Sequence, residues 1–102
     1  FPRGAGGLVV DYAERTGVNA VGLDTAIPLK RIDAALPKGM PVQGNLDPMR
    51  LVAGGVGMEN RVREIITTLK GQPHIFNLCH GVTPEVPIPH VESVLRTIRS
   101  MA

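Results

Sequence analysis

Apolar positions along this chain alternate between helical spacing and short continuous runs. Leu8, Val9, Tyr12 and Ala13 share one helical face, and Thr16-Gly17 closes that helix. Residues 19–23, Asn-Ala-Val-Gly-Leu, read as a strand ending at Asp24. A second helix spans about 28–36, with Pro28 suited to its first turn and Pro37 and Gly39 ending it. Residues 41–44 form a short strand ending at Asn45. Asp47-Pro48 then supplies a helix cap and a first helical residue, and Gly54-Gly55 keeps that helix short. A longer helix is expected to start near Met58. It places Val62, Ile65, Ile66 and Leu69 together while Glu59, Arg63 and Lys70 face elsewhere, and Gly71 and Pro73 stop it. Residues 74–78 are the third strand, followed by a Pro-rich loop over 80–87. The last helix carries Val91, Val94, Leu95, Ile98 and Met101 on one stripe, with Glu92, Arg96 and Arg99 outside it. Phe1-Pro2 reads as the tail of a further strand.

Strands alternating with helices imply βαβ units and a parallel sheet, hence an α/β fold. Three strands and a stub leave two bare edges, and parallel sheets this narrow are rare. Two architectures fit: a small α/β sandwich, or the closing sector of a (β/α)8 barrel whose earlier strands lie elsewhere. The chain has 102 residues, at most one domain. Its 43% apolar content is too high for a disordered segment. A single cysteine excludes an internal disulfide framework. No apolar run reaches the ~18–20 residues of a membrane span. The net charge is +2 and its basic residues are spread along the chain, which gives no nucleic-acid footprint. The first residues show neither an initiator Met nor a signal-peptide pattern, so the expectation is a piece of a longer chain, residues 1–102 forming one partial domain.

Ligands of α/β folds bind at the carboxyl ends of the strands. Those ends gather Arg3, Gly4, Asp24, Thr25, Asn45, Asp47, Asn77, Cys79 and His80. Capping and turn closure are the competing reading of Asp24, Thr25, Asn45 and Asp47, and the favoured one for Asp47 and Asn45. The stretch Arg3-Gly4-Ala5-Gly6-Gly7 resembles an anion-binding glycine turn, but Val9 stands where a third glycine would complete a dinucleotide fingerprint. A tight turn is the favoured reading. His74, Cys79, His80 and His90 are the candidate metal ligands. No helical two-ligand spacing occurs, and adjacent Cys79 and His80 point to opposite sides if their strand continues, so no metal site is expected. Cys79 reads as a small buried apolar residue, His74 as the start of a strand away from the rim, and His90 as solvated. His80 differs: it follows an apolar strand and opens a loop stiffened by Pro84, Pro87 and Pro89. An imidazole so placed can donate hydrogen bonds to carboxylates or carry a proton.

Four stretches, Phe1-Pro2-Arg3-Gly4-Ala5-Gly6, Val21-Gly22-Leu23-Asp24, Val42-Gln43-Gly44-Asn45-Leu46-Asp47-Pro48 and Asn77-Leu78-Cys79-His80-Gly81-Val82-Thr83-Pro84, resemble the carboxyl-terminal part of the uroporphyrinogen decarboxylase family in order and spacing. The resemblance implies roughly the last third of a distorted (β/α)8 TIM-type barrel. It also implies removal of carboxyl groups from the four acetate side chains of uroporphyrinogen III, giving coproporphyrinogen III in porphyrin and heme biosynthesis. It implies no metal or organic cofactor, a cytoplasmic homodimeric parent, and no nucleic-acid or membrane partner. His80 matches the family's cleft histidine and so takes a substrate-binding or proton-transfer role. The family's essential aspartate, arginines, tyrosine and serine belong to stretches outside this sequence, and Asp24 is not that aspartate. Two residues depart from the family pattern: Cys79 where glycine is usual, and Thr25 where an aromatic residue is usual. The alternatives are a zinc-dependent cobalamin/coenzyme M methyltransferase of the same superfamily, in which cysteine stands at the position of His80, and a non-catalytic α/β interaction module. The isolated chain is expected to be inactive and to self-associate through its open sheet edges.

Overall fold

The computed structural model describes residues 1–26 and 28–101, apart from the side chain of Asp33. Three parallel strands, β1 (Val21–Gly22), β2 (Val42–Gln43) and β3 (His74–Ile75), lie in the order β1-β2-β3. Val21 is in register with Val42 and Val42 with His74, and a bridge between Leu46 and Leu78 extends the second pairing. These strands are shorter than the sequence runs, because each chain bends into its rim loop soon after the paired residues. Helices α1 (Val9–Thr16), α2 (Leu29–Ala35), α3 (Pro48–Ala53), α4 (Gly55–Thr68) and α5 (Ile88–Ser100) follow the expected order, with a 3-10 turn at Gly6–Leu8 before α1.

Helical spacing accounts for the core. Leu29, Ile32 and Leu36 from α2 and its end, and Met58, Val62, Ile65 and Leu69 from α4 and its end, are all buried with Val21, Leu23, Val42 and Leu46 of the sheet. α4 packs between α2 and α5, so these helices form one layer. The sheet is correspondingly two-faced. Val21 and Val42 are buried, whereas in the next register row Gln43 and Ile75 are exposed, Ile75 by 60%, and Gly22 is half-buried. A doubly wound sheet would cover both faces; this one covers one.

Four details differ from the sequence expectation. Phe1 and Pro2 pair with no strand. They enter a turn (Ala5 N–H to Pro2 O, 3.1 Å), and the Phe1 ring covers Gly22 so closely that a Cβ there would meet it at 3.0 Å. Leu8 lies on the 3-10 turn and is exposed, leaving Val9 and Ala13 as the buried positions of α1. α4 starts at Gly55 rather than near Met58, because Gly54 and Gly55, both at positive φ, make the bend without further linker. The apolar stripe of α5 is split. Val94 and Thr97 are buried, while Val91 and Leu95 stay exposed beside Phe76, Leu78 and Val82 along a groove of about 160 Å³.

Candidate active site

The carboxyl ends of the strands converge as expected, and hydrogen bonds fix their order. β1 is followed by Leu23, whose N–H reaches Gln43 O (2.8 Å), and the chain then turns at Asp24. The Asp24 carboxylate accepts from Gly4 N–H (2.6 Å) and Thr25 N–H (2.6 Å). The glycine turn is thus a tight turn, as favoured, and its Gly4 N–H is occupied by a carboxylate of the chain itself. These two backbone donors hold the Asp24 carboxyl below the usual carboxylate range, against partial desolvation; the Thr25 hydroxyl and the nearby His80 act in the same direction as the donors.

Asn45, at the end of β2, is 1% exposed and donates from Nδ2 to Asp24 O (2.9 Å). It caps no helix; it ties the end of β2 to the loop after β1. Its Oδ1 is buried with no hydrogen-bond partner among the described residues. Gly44 before it sits at φ 131°, where a Cβ would meet Leu23 O at 3.0 Å, so glycine is required for the two strand ends to approach. Asp47 is the cap the sequence indicates, accepting from Met49 N–H (2.9 Å) with Pro48 in the first turn of α3.

Pairing with β2 ends at Leu78 and Cys79, whose N–H bonds Leu46 O (2.9 Å). The chain bends at Cys79 and His80 rather than continuing as a strand. The condition under which their side chains would part to opposite sides, a continuing strand, is therefore not met. One ligand-type atom from each of Asp24, Cys79 and His80 lies within 4.8 Å of the others. Cys79 is buried, as read from the sequence. Burial pushes its thiol pKa up, and the carboxylates of Asp24 and then Asp47 push the same way. His80 stands at the solvent-accessible side of this cluster.

The other two histidines act structurally. His74 opens β3, and its Nε2 donates to Gly44 O (2.7 Å). His90 is half-buried rather than solvated, because its Nδ1 donates to Leu51 O (2.7 Å) and its ring packs against Gly54, joining α5 to α3. Sequence reasoning missed Arg50 and Arg61, which with Thr25, Asp47 and Glu64 line a polar cleft of about 350 Å³ next to the rim. Arg61 is partly engaged by Glu64 (3.1 Å). Only their spacing on α3 and α4 after the Asp47-Pro48 cap could have signalled them.

Comparison with known proteins adds the context of the rim. The family described as Uroporphyrinogen decarboxylase (URO-D) matches residues 1–101. The chain is 57% identical over 100 residues to a protein named uroporphyrinogen decarboxylase from Hyphomonas neptunium, covering 98% of this chain and 29% of that protein. A namesake from Sphingopyxis alaskensis is 50% identical over 99 residues, covering 97% and 29%. One from Gluconacetobacter diazotrophicus is 46% identical over 101 residues, covering 99% and 29%. The chain spans 29% of the length of these relatives.

Proposed function

We propose, for a chain that belongs to the uroporphyrinogen decarboxylase family, that it forms the carboxyl-terminal sector of a (β/α)8 barrel whose rim binds uroporphyrinogen III. The reaction is decarboxylation of the four acetate side chains to give coproporphyrinogen III. Each step exchanges one carboxylate for one proton: a –CH2–COO⁻ group becomes –CH3, CO2 leaves, and no electrons are transferred. The protonated pyrrole ring is the electron sink, so the protein's tasks are placement, anion recognition and proton delivery.

One observation carries this reading: parallel strands deliver His80 to the rim beside Asp24. Imidazole there offers N–H donors to a substrate carboxylate and a nitrogen through which a proton can be passed. Asp24, locked by two backbone N–H groups, keeps the rim loop in place rather than contacting the substrate. The bare sheet face (Gln43, Ile75) and the apolar groove of α5 support the barrel, since both need cover from further strands and helices. The same exposed surfaces support self-association of this chain when alone, through edge pairing of β1 or β3. The reading includes a homodimeric, cytoplasmic parent enzyme without a cofactor. Among the described residues no helix is long and apolar enough to cross a membrane.

The test is a chimera. Residues 1–101 replace the homologous stretch of the Hyphomonas relative, and turnover of uroporphyrinogen III is assayed. The expected result is an active chimera whose His80→Asn variant loses about 10²-fold or more in kcat/KM. A folded, active chimera with unchanged kinetics on His80→Asn overturns the role of His80. A folded chimera without turnover overturns the assignment of the chain. Sedimentation of the isolated chain tests edge pairing, which a compact monomer would refute.

A further inference from the structure

We propose that Asp24, Cys79 and His80 form a binding site for a borderline-soft divalent cation of the zinc class. Three atoms no more than 4.8 Å apart share a point within ~2.8 Å of each, and zinc bonds of ~2.0–2.3 Å need side-chain shifts below about 1 Å. The donors are a carboxylate oxygen, a thiol sulfur and an imidazole nitrogen, the mixed O/S/N set that such a cation accepts while harder ions do not. Three protein ligands with an open solvent side leave a fourth position for water or an exchangeable anion.

The site is preformed from both ends of the chain. Gly4 N–H fixes Asp24 Oδ2 while Thr25 N–H and, at 3.4 Å, the Thr25 hydroxyl engage Oδ1, so Oδ2 is the oxygen that keeps a second lone pair for a metal. Asn45 anchors the Asp24 carbonyl. Leu46 O holds the backbone of Cys79, and the bend after Leu78 turns the thiol and the imidazole toward the same point. Cation binding displaces the Cys79 thiol proton to solvent, and the resulting thiolate together with the Asp24 carboxylate balances the charge of a divalent cation. Cys79 is the single cysteine of the chain, so no disulfide competes for it. A bound cation takes the imidazole lone pair of His80, so the metal-loaded rim and a rim that uses His80 on a substrate exclude one another. The site stands on its geometry whether or not the decarboxylase reading holds.

Cobalt(II) is the probe, because a thiolate ligand announces itself by a near-ultraviolet charge-transfer band and a tetrahedral site by strong visible bands. Titrating the purified 102-residue chain is expected to saturate both at one equivalent, with displacement by one equivalent of zinc. Cys79→Ser is expected to abolish the charge-transfer band, and Asp24→Asn and His80→Asn to weaken binding by at least about a hundredfold. His74→Gln, whose ring is committed to Gly44 O, is expected to bind as the parent does. Absence of a thiolate band in the parent chain at stoichiometric cobalt overturns the proposal, and so does equal affinity in the parent and Cys79→Ser. If Cys79→Ser does not fold, the parent spectrum and Asp24→Asn decide alone.

Discussion

Gly54→Ala tests how α5 is anchored to the rim-bearing half of the molecule. Gly54 sits at φ 66° and ψ −161°, a conformation essentially confined to glycine, and holding alanine there costs about 1–3 kcal/mol. The new methyl group would also lie 2.5 Å from Cε1 and Nε2 of His90. The ring must then move and give up its 2.7 Å bond to Leu51 O, a further loss of about 0.5–1.5 kcal/mol. The expected total is about 1.5–4.5 kcal/mol of unfolding free energy, with the two parts separable. In a His90→Ala background the steric part vanishes and Gly54→Ala costs only the backbone share. Urea unfolding of the four proteins, followed by circular dichroism, gives the cycle. A Gly54→Ala cost below about 0.5 kcal/mol, the range of an indifferent surface change, refutes the backbone argument. Equal costs in both backgrounds refute the contact with His90.

Other outcomes follow from the same geometry. Asn45→Asp puts a charge at a 1% exposed position beside the Asp24 carbonyl, and is expected to destabilise by more than about 2 kcal/mol in urea unfolding at pH 7, well beyond Asn45→Ala. Asp24 has a folded pKa below its ordinary 3.8, so its contribution is complete above that value and is lost as pH falls through the folded value; with a chelator present, Asp24→Asn flattens the stability–pH curve in that acid window and nowhere else. Ile65→Ala removes a 0% exposed side chain from the buried stripe of α4 and is expected to cost about 2–5 kcal/mol, read as a shift of the urea midpoint at unchanged slope.

Local chemistry was the legible part of this chain. Gly17 ends α1 in the left-handed conformation, Asp47 caps α3, and the α4 stripe buries Val62, Ile65 and Leu69, with Ile66 half-buried. These features depend on neighbours within one or two helical turns. Contacts between distant segments were not legible. Nothing in the local sequence of Gly4 says that its N–H serves Asp24, or in that of His90 that a carbonyl of α3 awaits it. The strand rule did not apply to Cys79 and His80 because the chain bends there, after the Leu46–Leu78 bridge and the Cys79 N–H bond to Leu46 O. Leu8, Val91 and Leu95 are apolar and exposed, so periodicity located the stripes without saying which part would be covered. His80 reached the rim for a reason sequence does convey: it follows the third strand of a parallel βα series.

The central claim is that this rim faces a tetrapyrrole, and a crystal structure of the chimera with coproporphyrin III, the oxidised form of the product, measures it directly. The account predicts a ring nitrogen of His80 about 2.6–3.2 Å from a tetrapyrrole carboxylate or nitrogen, with the macrocycle above the carboxyl ends of β1, β2 and β3. A macrocycle seated at the opposite ends of the strands, or an imidazole of His80 turned away from it, would contradict the account.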